Sequence, residues 1–173
     1  MIRIVGGRWR GRMLKVPEGP DVRPTADRVR EAWMSIVSTR VPGARVLDLF
    51  AGSGALGLEA LSRGAIHATL VDNAPGSLRA IQDNVDMLGA GDRVIVERMN
   101  ALRFIENLAS GAYDLGFVDP PYRKGLAAEV AEQWLATPFA TVIGIEHQLR
   151  DPMPAGGILR KYGSTAITFY ETE

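Results

Sequence analysis

From residue 45 onwards the chain repeats one pattern: a short apolar run, a turn, and a segment with helical periodicity. Strands and helices that alternate in this way form a parallel sheet with helices on both faces, joined by right-handed crossovers. The alternation therefore predicts an α/β fold with a mostly parallel, twisted sheet. The predicted strands are residues 45–50, 67–72, 93–97, 113–119 and 141–146, and the predicted helices are residues 55–63, 76–88, 102–108 and 126–135.

The chain departs from this alternation at both ends. Residues 158–162 and 165–171 predict an antiparallel hairpin that closes the sheet. Residues 2–7 and 12–16 predict a smaller hairpin, which needs something to pack against it because an isolated hairpin is marginally stable. At 173 residues, the chain has room for one compact domain and a small appendage.

A proline-rich linker follows the small hairpin and ends at Thr25, the expected N-cap of a helix that runs to about residue 39. We expect this helix to bury one face and to leave Arg28 and Arg30 nearer the solvent. The face predicted to be buried consists of Val29, Trp33, Ile36 and Val37. The sequence thus divides into an extension, residues 1–24, and a main domain, residues 25–173.

The net charge of zero conceals an uneven distribution of charge. The first forty residues hold nine Lys or Arg and four acidic residues, whereas the remainder holds eleven bases and sixteen acids. Residues 1–15 contain five bases and no acid, with Trp9 among the arginines. This composition is typical of an arm that contacts phosphates and stacks one ring on a base. A charged edge hairpin that prevents aggregation would have the same composition.

Several classes of chemistry are excluded or disfavoured by composition. The chain has no cysteine, which excludes disulfides, thiolate metal sites and a cysteine nucleophile. His67 and His147 have no second histidine or acidic residue at metal-ligand spacing, so we expect no metal. No apolar run approaches the roughly 20 residues that cross a bilayer, and the amino terminus lacks the apolar core of a signal peptide. A cytoplasmic location is therefore expected.

A glycine-rich turn lies between the first predicted strand and its helix. Gly52, Gly54 and Gly57 form the pattern Gly-x-Gly-x-x-Gly, in the context that nucleotide-binding turns require. Asp72 ends the next strand, twenty residues after Gly52, where a carboxylate can accept both hydroxyl protons of a ribose. The pattern predicts a nucleotide cofactor, either a dinucleotide or S-adenosylmethionine. A tightly packed turn without ligand is the structural alternative.

The tetrapeptide Asp119-Pro120-Pro121-Tyr122 ends the fourth strand, at the same edge of the sheet as the glycine turn. The prolines restrict the backbone, so the Asp119 carboxylate and the Pro120 carbonyl can be held as two aligned acceptors. Such a pair suits an exocyclic amino group, and Tyr122 offers a face on which a planar base can stack. Methyl transfer to nitrogen fits this arrangement, whereas hydride transfer has no use for it. A rigid turn that caps the strand is the structural alternative.

These motifs resemble those of a known group, the Rossmann-like class I S-adenosylmethionine-dependent methyltransferases, and within it the bacterial 16S rRNA guanine-N2 methyltransferases. The resemblance covers nearly the whole chain. It rests on the blocks IRIVGGRWRGRML at 2–14, RPTADRVRE at 23–31, DLFAGSGALGLEALSRG at 48–64 and VDPPYRKG at 118–125. It implies N2 methylation of a guanine in small-subunit rRNA. We also expect a cytoplasmic monomer without a metal.

The resemblance also implies roles for individual residues. The cofactor S-adenosylmethionine would be bound by Asp48, Ala51, Gly52, Ser53, Gly54, Asp72, Asn73, Asn100, Ala101 and Asp119. The target base would be held by Asp119, Pro120, Pro121 and Tyr122. The RNA would be contacted by Arg8, Trp9, Arg10, Arg12, Arg23, Arg28 and Arg30.

Two other functions remain open from the sequence. The tetrapeptide is equally at home in DNA adenine-N6 methyltransferases, and only the basic hairpin and the 23–31 block favour RNA and guanine. The second alternative belongs to a different class: an RNA-binding module whose cofactor pocket is vestigial.

Overall fold

The computed structural model describes residues 1–18, 27–123 and 125–173. Thr25, the expected N-cap of the first helix, and Arg23, an expected RNA contact, lie outside the described residues. Within them the strands are β1 (Ile2–Arg3), β2 (Met13–Leu14), β3 (Arg45–Leu49), β4 (His67–Asp72), β5 (Val94–Arg98), β6 (Tyr113–Val118), β7 (Ala140–Gln148), β8 (Ile158–Tyr162) and β9 (Thr165–Glu171). The helices are α1 (Asp27–Ile36), α2 (Ala55–Ser62), α3 (Pro75–Leu88), α4 (Ala101–Glu106) and α5 (Leu126–Ala136), and a short 3₁₀ turn, Gly91–Arg93, precedes β5.

The α/β prediction is confirmed: strands β3 to β9 form one sheet in the order β5-β4-β3-β6-β7-β9-β8. The strands β3 to β7 are parallel, and β9 runs antiparallel to both of its neighbours, so the carboxyl-terminal hairpin closes the sheet as predicted. The amino-terminal hairpin forms a separate sheet of two short strands. This arrangement agrees with the Rossmann-like fold that the resemblance implies.

The strand order determines where a ligand can bind. From β3 the chain proceeds outward on one side to β4 and β5, and it then returns to the other side of β3 with β6. In open parallel sheets such a reversal leaves a crevice at the carboxyl ends of the strands. The ends of β3, β4 and β6 therefore meet at one point, and these are the ends that carry the glycine turn, Asp72 and Asp119.

The core lies on both faces of the sheet, and α1 contributes its largest side chain. Trp33 is fully buried and contacts Phe117 and Phe169 edge-on, with ring centroids 5.5 and 6.5 Å apart. The helix ends at Ile36, three residues earlier than predicted, and Ile36 is 38% exposed rather than buried. None of the helices in the described ranges combines the length and the apolar composition needed to cross a membrane.

The prediction for one arginine of α1 is wrong. Arg28 is exposed as expected, but Arg30 is only 1% exposed and its Nε lies 3.6 Å from the buried carboxylate of Glu59 on α2. Its guanidinium group also donates to the carbonyl of Arg3 and, at 3.2 Å, to the carboxylate of Asp27. A buried guanidinium is tolerated here because acceptors surround it. Arg30 therefore joins the hairpin to the main domain and offers no free surface to RNA.

Candidate active site

A cavity of about 330 Å³ opens at the carboxyl edge of the sheet, where β3, β4 and β6 end. The first turn of α2 and the amino-terminal segment form its other walls. Among the predicted site residues, its lining contains Asp48, Ala51, Gly52, Ser53, Asp72, Asn73, Asp119, Pro120 and Pro121. The structure thus brings the glycine turn and the Asp-Pro-Pro segment together around one space.

The glycine turn has the geometry that its residues suggest. Gly54 is the N-cap of α2 and has a φ of 80°, a left-handed conformation that glycine adopts without a steric penalty. At Gly57, an added Cβ would lie 2.4 Å from a side-chain carbon of Leu70, so helix and sheet can approach this closely only with glycine there. Phe50, just before the turn, has a φ of 57° and also lines the cavity. A non-glycine residue in this conformation marks stored strain, which is common at functional sites.

Asp72 is held rigidly at the end of β4. One carboxylate oxygen accepts the N–H of Gly52 at 2.9 Å, and the other accepts the N–H of Ala74 at 2.9 Å. Because each carboxylate oxygen has two lone pairs, both can accept a further hydrogen bond from a ligand. Asp72 is therefore oriented by the glycine turn and presents acceptors to the cavity.

Asp48 is a buried carboxyl in the same wall. It is 1% exposed and accepts the N–H of Gly57 at 3.0 Å. Burial raises the pKa of Asp48 well above its usual value, and the negative charges of Asp119 and Asp72 raise it further, against the lowering effect of the Gly57 bond. The negative charges of Asp72 and Asp119 thus act on Asp48 across the cavity. A ligand with a positive charge is favoured beside such carboxylates.

The segment Asp119-Pro120-Pro121 follows the end of β6. Asp119 is half-buried, Pro120 is buried and Pro121 is exposed, and all three line the cavity. Tyr122 follows directly, is 37% exposed, and its hydroxyl bonds the hydroxyl of Thr165 at 2.7 Å. The bond to β9 anchors the Tyr122 ring beside the cavity rather than in its wall.

Three predicted cofactor residues are not in the wall of the cavity. Gly54 serves as the helix cap, and Ala101 is buried within α4. Asn100 is the N-cap of α4, and its side-chain oxygen accepts the N–H of Arg103 at 3.2 Å. Asn100 remains near the site because the N–H of Met99 donates to the carbonyl of Asp72 at 3.2 Å.

Other residues of the wall were missed by sequence reasoning. Phe50 had a local signal, since it precedes the glycine turn. Ile2, Val16 and Pro17 come from the amino-terminal segment and had none, because only tertiary packing brings that segment across α2. Arg30 lines the cavity as well, although the sequence assigned it to the RNA surface.

The basic residues of the amino-terminal segment have different environments. Arg8, Arg10 and Arg12 are exposed, and Arg12 donates to the carbonyl of Met87, in the last turn of α3, at 3.0 Å. Trp9 is only 7% exposed, which corrects its interpretation as a base-stacking ring. The guanidinium carbons of Arg8 and Arg93 lie 5.5 and 5.3 Å from its ring centroid. Trp9 therefore stacks with arginines.

Solved structures of similar proteins share this fold. A putative methyltransferase from Escherichia coli is 38% identical and superposes with a TM-score of 0.85, over 99% of this chain and 98% of that one. A hypothetical protein from Thermus thermophilus is 32% identical with a TM-score of 0.84, over 99% of this chain and all of that one. A putative RNA methyltransferase from Pyrococcus horikoshii, 16% identical with a TM-score of 0.70 over 91% and 92% of the two chains, shares the fold alone.

Proteins with similar sequences are also methyltransferases by name. Ribosomal RNA small subunit methyltransferase D of Escherichia coli K12 is 41% identical over 158 residues, which cover 88% of this chain and 78% of the relative. The putative rRNA methyltransferase YlbH of Bacillus subtilis is 33% identical over 183 residues and covers 98% of both chains. The model of the family described as conserved hypothetical protein 95 matches residues 2–171. The chain therefore belongs to the conserved hypothetical protein 95 family and is a member of a bacterial family of 16S rRNA methyltransferases.

Proposed function

We propose that this protein transfers a methyl group from S-adenosylmethionine to the exocyclic N2 of a guanine in 16S rRNA. One observation supports this above all others: a single cavity is lined both by the glycine turn with Asp72 and by Asp119-Pro120-Pro121. A donor and an acceptor nitrogen can therefore meet in one space. The names of the relatives supply the class of RNA.

The donor side of the cavity suits S-adenosylmethionine. The lone pairs left on Asp72 would accept the two ribose hydroxyls, and the backbone at Ala51 and Gly52 would lie along the methionine portion. The carboxylates of Asp72 and Asp119, which both line the cavity, favour a cationic ligand such as a sulfonium. When bound, S-adenosylmethionine supplies a methyl group that is already strongly electrophilic.

The acceptor side suits an amino group with two protons. The Asp119 carboxylate and the Pro120 carbonyl accept hydrogen bonds from the two N–H groups, which turns the nitrogen lone pair toward the donor. Proline has no N–H, so neither proline of this segment competes as a donor. Tyr122, anchored by Thr165, stacks on the base beside the cavity. Positioning of this kind accounts for about 7–11 kcal/mol of the barrier in well-oriented reactions.

The amino-terminal segment and the start of α1 provide the RNA contacts in this proposal. The exposed residues Arg8, Arg10 and Arg28 are available for phosphates, and Arg12 shares its guanidinium group with the end of α3. Arg23 stays among the proposed RNA contacts because of the resemblance. Arg30 and Trp9 are left out because both side chains are buried. Because Ile2 and Val16 line the cavity, the segment that contacts RNA also forms one of its walls.

The proposal is tested by supplying methyl-labelled S-adenosylmethionine with either small ribosomal subunits or duplex DNA. We expect label in 16S rRNA and, after nuclease digestion and mass spectrometry, in N2-methylguanosine. Label confined to DNA would show a DNA methyltransferase instead. Label on another atom of the rRNA would refute the N2 assignment alone. Calorimetry with S-adenosylhomocysteine checks the donor side, since no heat at sub-millimolar ligand would indicate a vestigial pocket.

A further inference from the structure

A second concave surface lies at the opposite edge of the sheet, at the carboxyl end of α2. It encloses about 530 Å³ between the amino-terminal hairpin, the end of α2 and the short turn before β5. In the part of the chain that the structure describes, its lining contains three arginines and no acidic residue. We call it the arginine groove, after Arg8, Arg63 and Arg93.

Each of these arginines is held in place by a specific contact. Arg8 and Arg93 lie over the buried ring of Trp9, within the roughly 6 Å at which a cation and an aromatic ring attract each other. The Nε of Arg63 donates to Glu59 at 3.0 Å. A guanidinium group has five N–H donors, so the bond to Glu59 uses only one of those of Arg63. The groove is thus preorganised and rich in hydrogen-bond donors.

The need to pair the carbonyls at the carboxyl end of α2 does not account for the three arginines of the groove. Cations are favourable near a helix carboxyl end, where carbonyl oxygens lack partners. Here the carbonyls of residues 59–62 already accept backbone N–H groups from Arg8, Arg63, Gly64 and Ala65. Three cations from three separate elements instead share one concavity and repel one another. A bound anion would offset this repulsion.

We propose that the arginine groove binds a phosphodiester of the RNA whose target base occupies the active-site cavity, which rests on the proposed function. Guanidinium groups match phosphate oxygens with paired, charge-assisted hydrogen bonds. Ala55 at the start of α2 lines the cavity and Ser62 at its end lines the groove, so these two residues are about 10 Å apart along the helix. One RNA strand can therefore contact both sites along the hairpin.

The test measures binding of protein-free 16S rRNA by filter retention at several KCl concentrations, with Arg93→Gln as the main variant. Arg93 lies outside the hairpin, and its replacement leaves the buried carboxylate of Glu59 paired. We expect the slope of log affinity against log salt to fall by about 0.7–0.9, the value for one phosphate contact. Arg93→Lys keeps the charge, so we expect it to retain the wild-type slope with weaker binding.

The matched control is Arg160→Gln. Arg160 is exposed on β8, six strand spacings from β5, or roughly 29 Å at ~4.8 Å per spacing. The Arg160→Gln variant should show the wild-type slope of log affinity against log salt. An unchanged slope in a folded Arg93→Gln variant, or an equal loss in both variants, would overturn the proposal. Unfolding midpoints measured by circular dichroism establish that the variants fold.

Failure of this inference differs from failure of the proposed function. Methyl transfer to rRNA by the wild type with an unchanged slope in Arg93→Gln would refute the groove alone. A lowered slope in a protein that transfers no methyl group would refute the proposed function and leave an RNA-binding groove.

Discussion

The carboxylate of Glu59 and the guanidinium group of Arg30 lie 3.6 Å apart, and each side chain is 1% exposed. Glu59 also accepts the backbone N–H groups of Val5 and Gly6 at 2.9 and 3.0 Å, and the Nε of Arg63 at 3.0 Å. One carboxylate on α2 therefore holds both α1 and the hairpin. Because Arg30 also lines the active-site cavity, this junction connects the donor site to the segment that we expect to contact RNA.

Replacement of Glu59 by alanine should strongly destabilise the protein. Arg30 would lose its buried partner and keep only the exposed carboxylate of Asp27 and the Arg3 carbonyl. Breaking a buried pair in this way costs about 3–5 kcal/mol. Urea denaturation measures the free energy of unfolding. Arg28→Ala, on the exposed face of α1, is the control and should change the free energy of unfolding by no more than about 0.5 kcal/mol. Similar losses in the two variants would contradict a central role for the junction.

Asp119→Ala should abolish methyl transfer while leaving the affinity for S-adenosylhomocysteine within a few-fold of the wild type. In the proposed function Asp119 accepts a hydrogen bond from the substrate amino group, whereas the donor would rest mainly on the glycine turn and Asp72. Label incorporation into rRNA gives the activity, and calorimetry gives the affinity. A large loss of ligand binding would move Asp119 from the substrate to the donor.

Asp72→Ala should show the opposite pattern. It removes the acceptors proposed for the ribose and the acceptor for the N–H of Gly52, which lies at 2.9 Å. Hydrogen bonds to charged groups contribute about 1.5–3 kcal/mol each, and ~1.4 kcal/mol corresponds to a tenfold change in affinity. We expect S-adenosylhomocysteine to bind at least about tenfold more weakly, as measured by calorimetry. Unchanged affinity would show that Asp72 only orders the turn.

Asp48→Asn should change how stability depends on pH. Burial raises the pKa of Asp48 in the folded state above its unfolded value of about 3.9. Its contribution to stability is therefore fully present below that pH and is lost as the pH rises through the folded-state pKa. Asparagine keeps an acceptor for the Gly57 N–H and cannot ionise. The variant should thus gain stability relative to the wild type as the pH rises from 4 to 8.

Asp114→Asn provides a control with the opposite sign. A hydrogen bond from Arg45 lowers the pKa of Asp114, so this carboxylate stabilises the fold above its unfolded pKa and ceases to do so as the pH falls through its folded-state value. Thermal unfolding of both variants across the same pH range is the measurement. If Asp48→Asn follows the course of Asp114→Asn, the assignment of Asp48 as a destabilising buried acid is wrong.

Much of the donor and acceptor site could be read from the sequence. Strand periodicity and turn residues are local properties, and they placed β4, β8 and β9 at the bounds that the structure shows. Parallel strands bring their carboxyl ends to one edge, so Asp72 and Asp119 were expected beside the glycine turn. The cavity that contains all three confirms this reasoning.

The environments of the basic residues could not be read in this way. Arg28 and Arg30 lie on different faces of α1, and the usual exposure of charged side chains gave no reason to bury either. The burial of Arg30 depends on Glu59, which is 29 positions away in sequence and meets it only in the folded chain. Trp9 likewise meets Arg93 only because the hairpin folds across the end of α2.

The sequence by itself thus determined the order of the elements and the chemistry at the ends of the parallel strands, because both follow from local periodicity and from a topological rule. Only the tertiary structure decided which arginines are structural and which face the solvent, because that depends on where distant acceptors and rings come to lie.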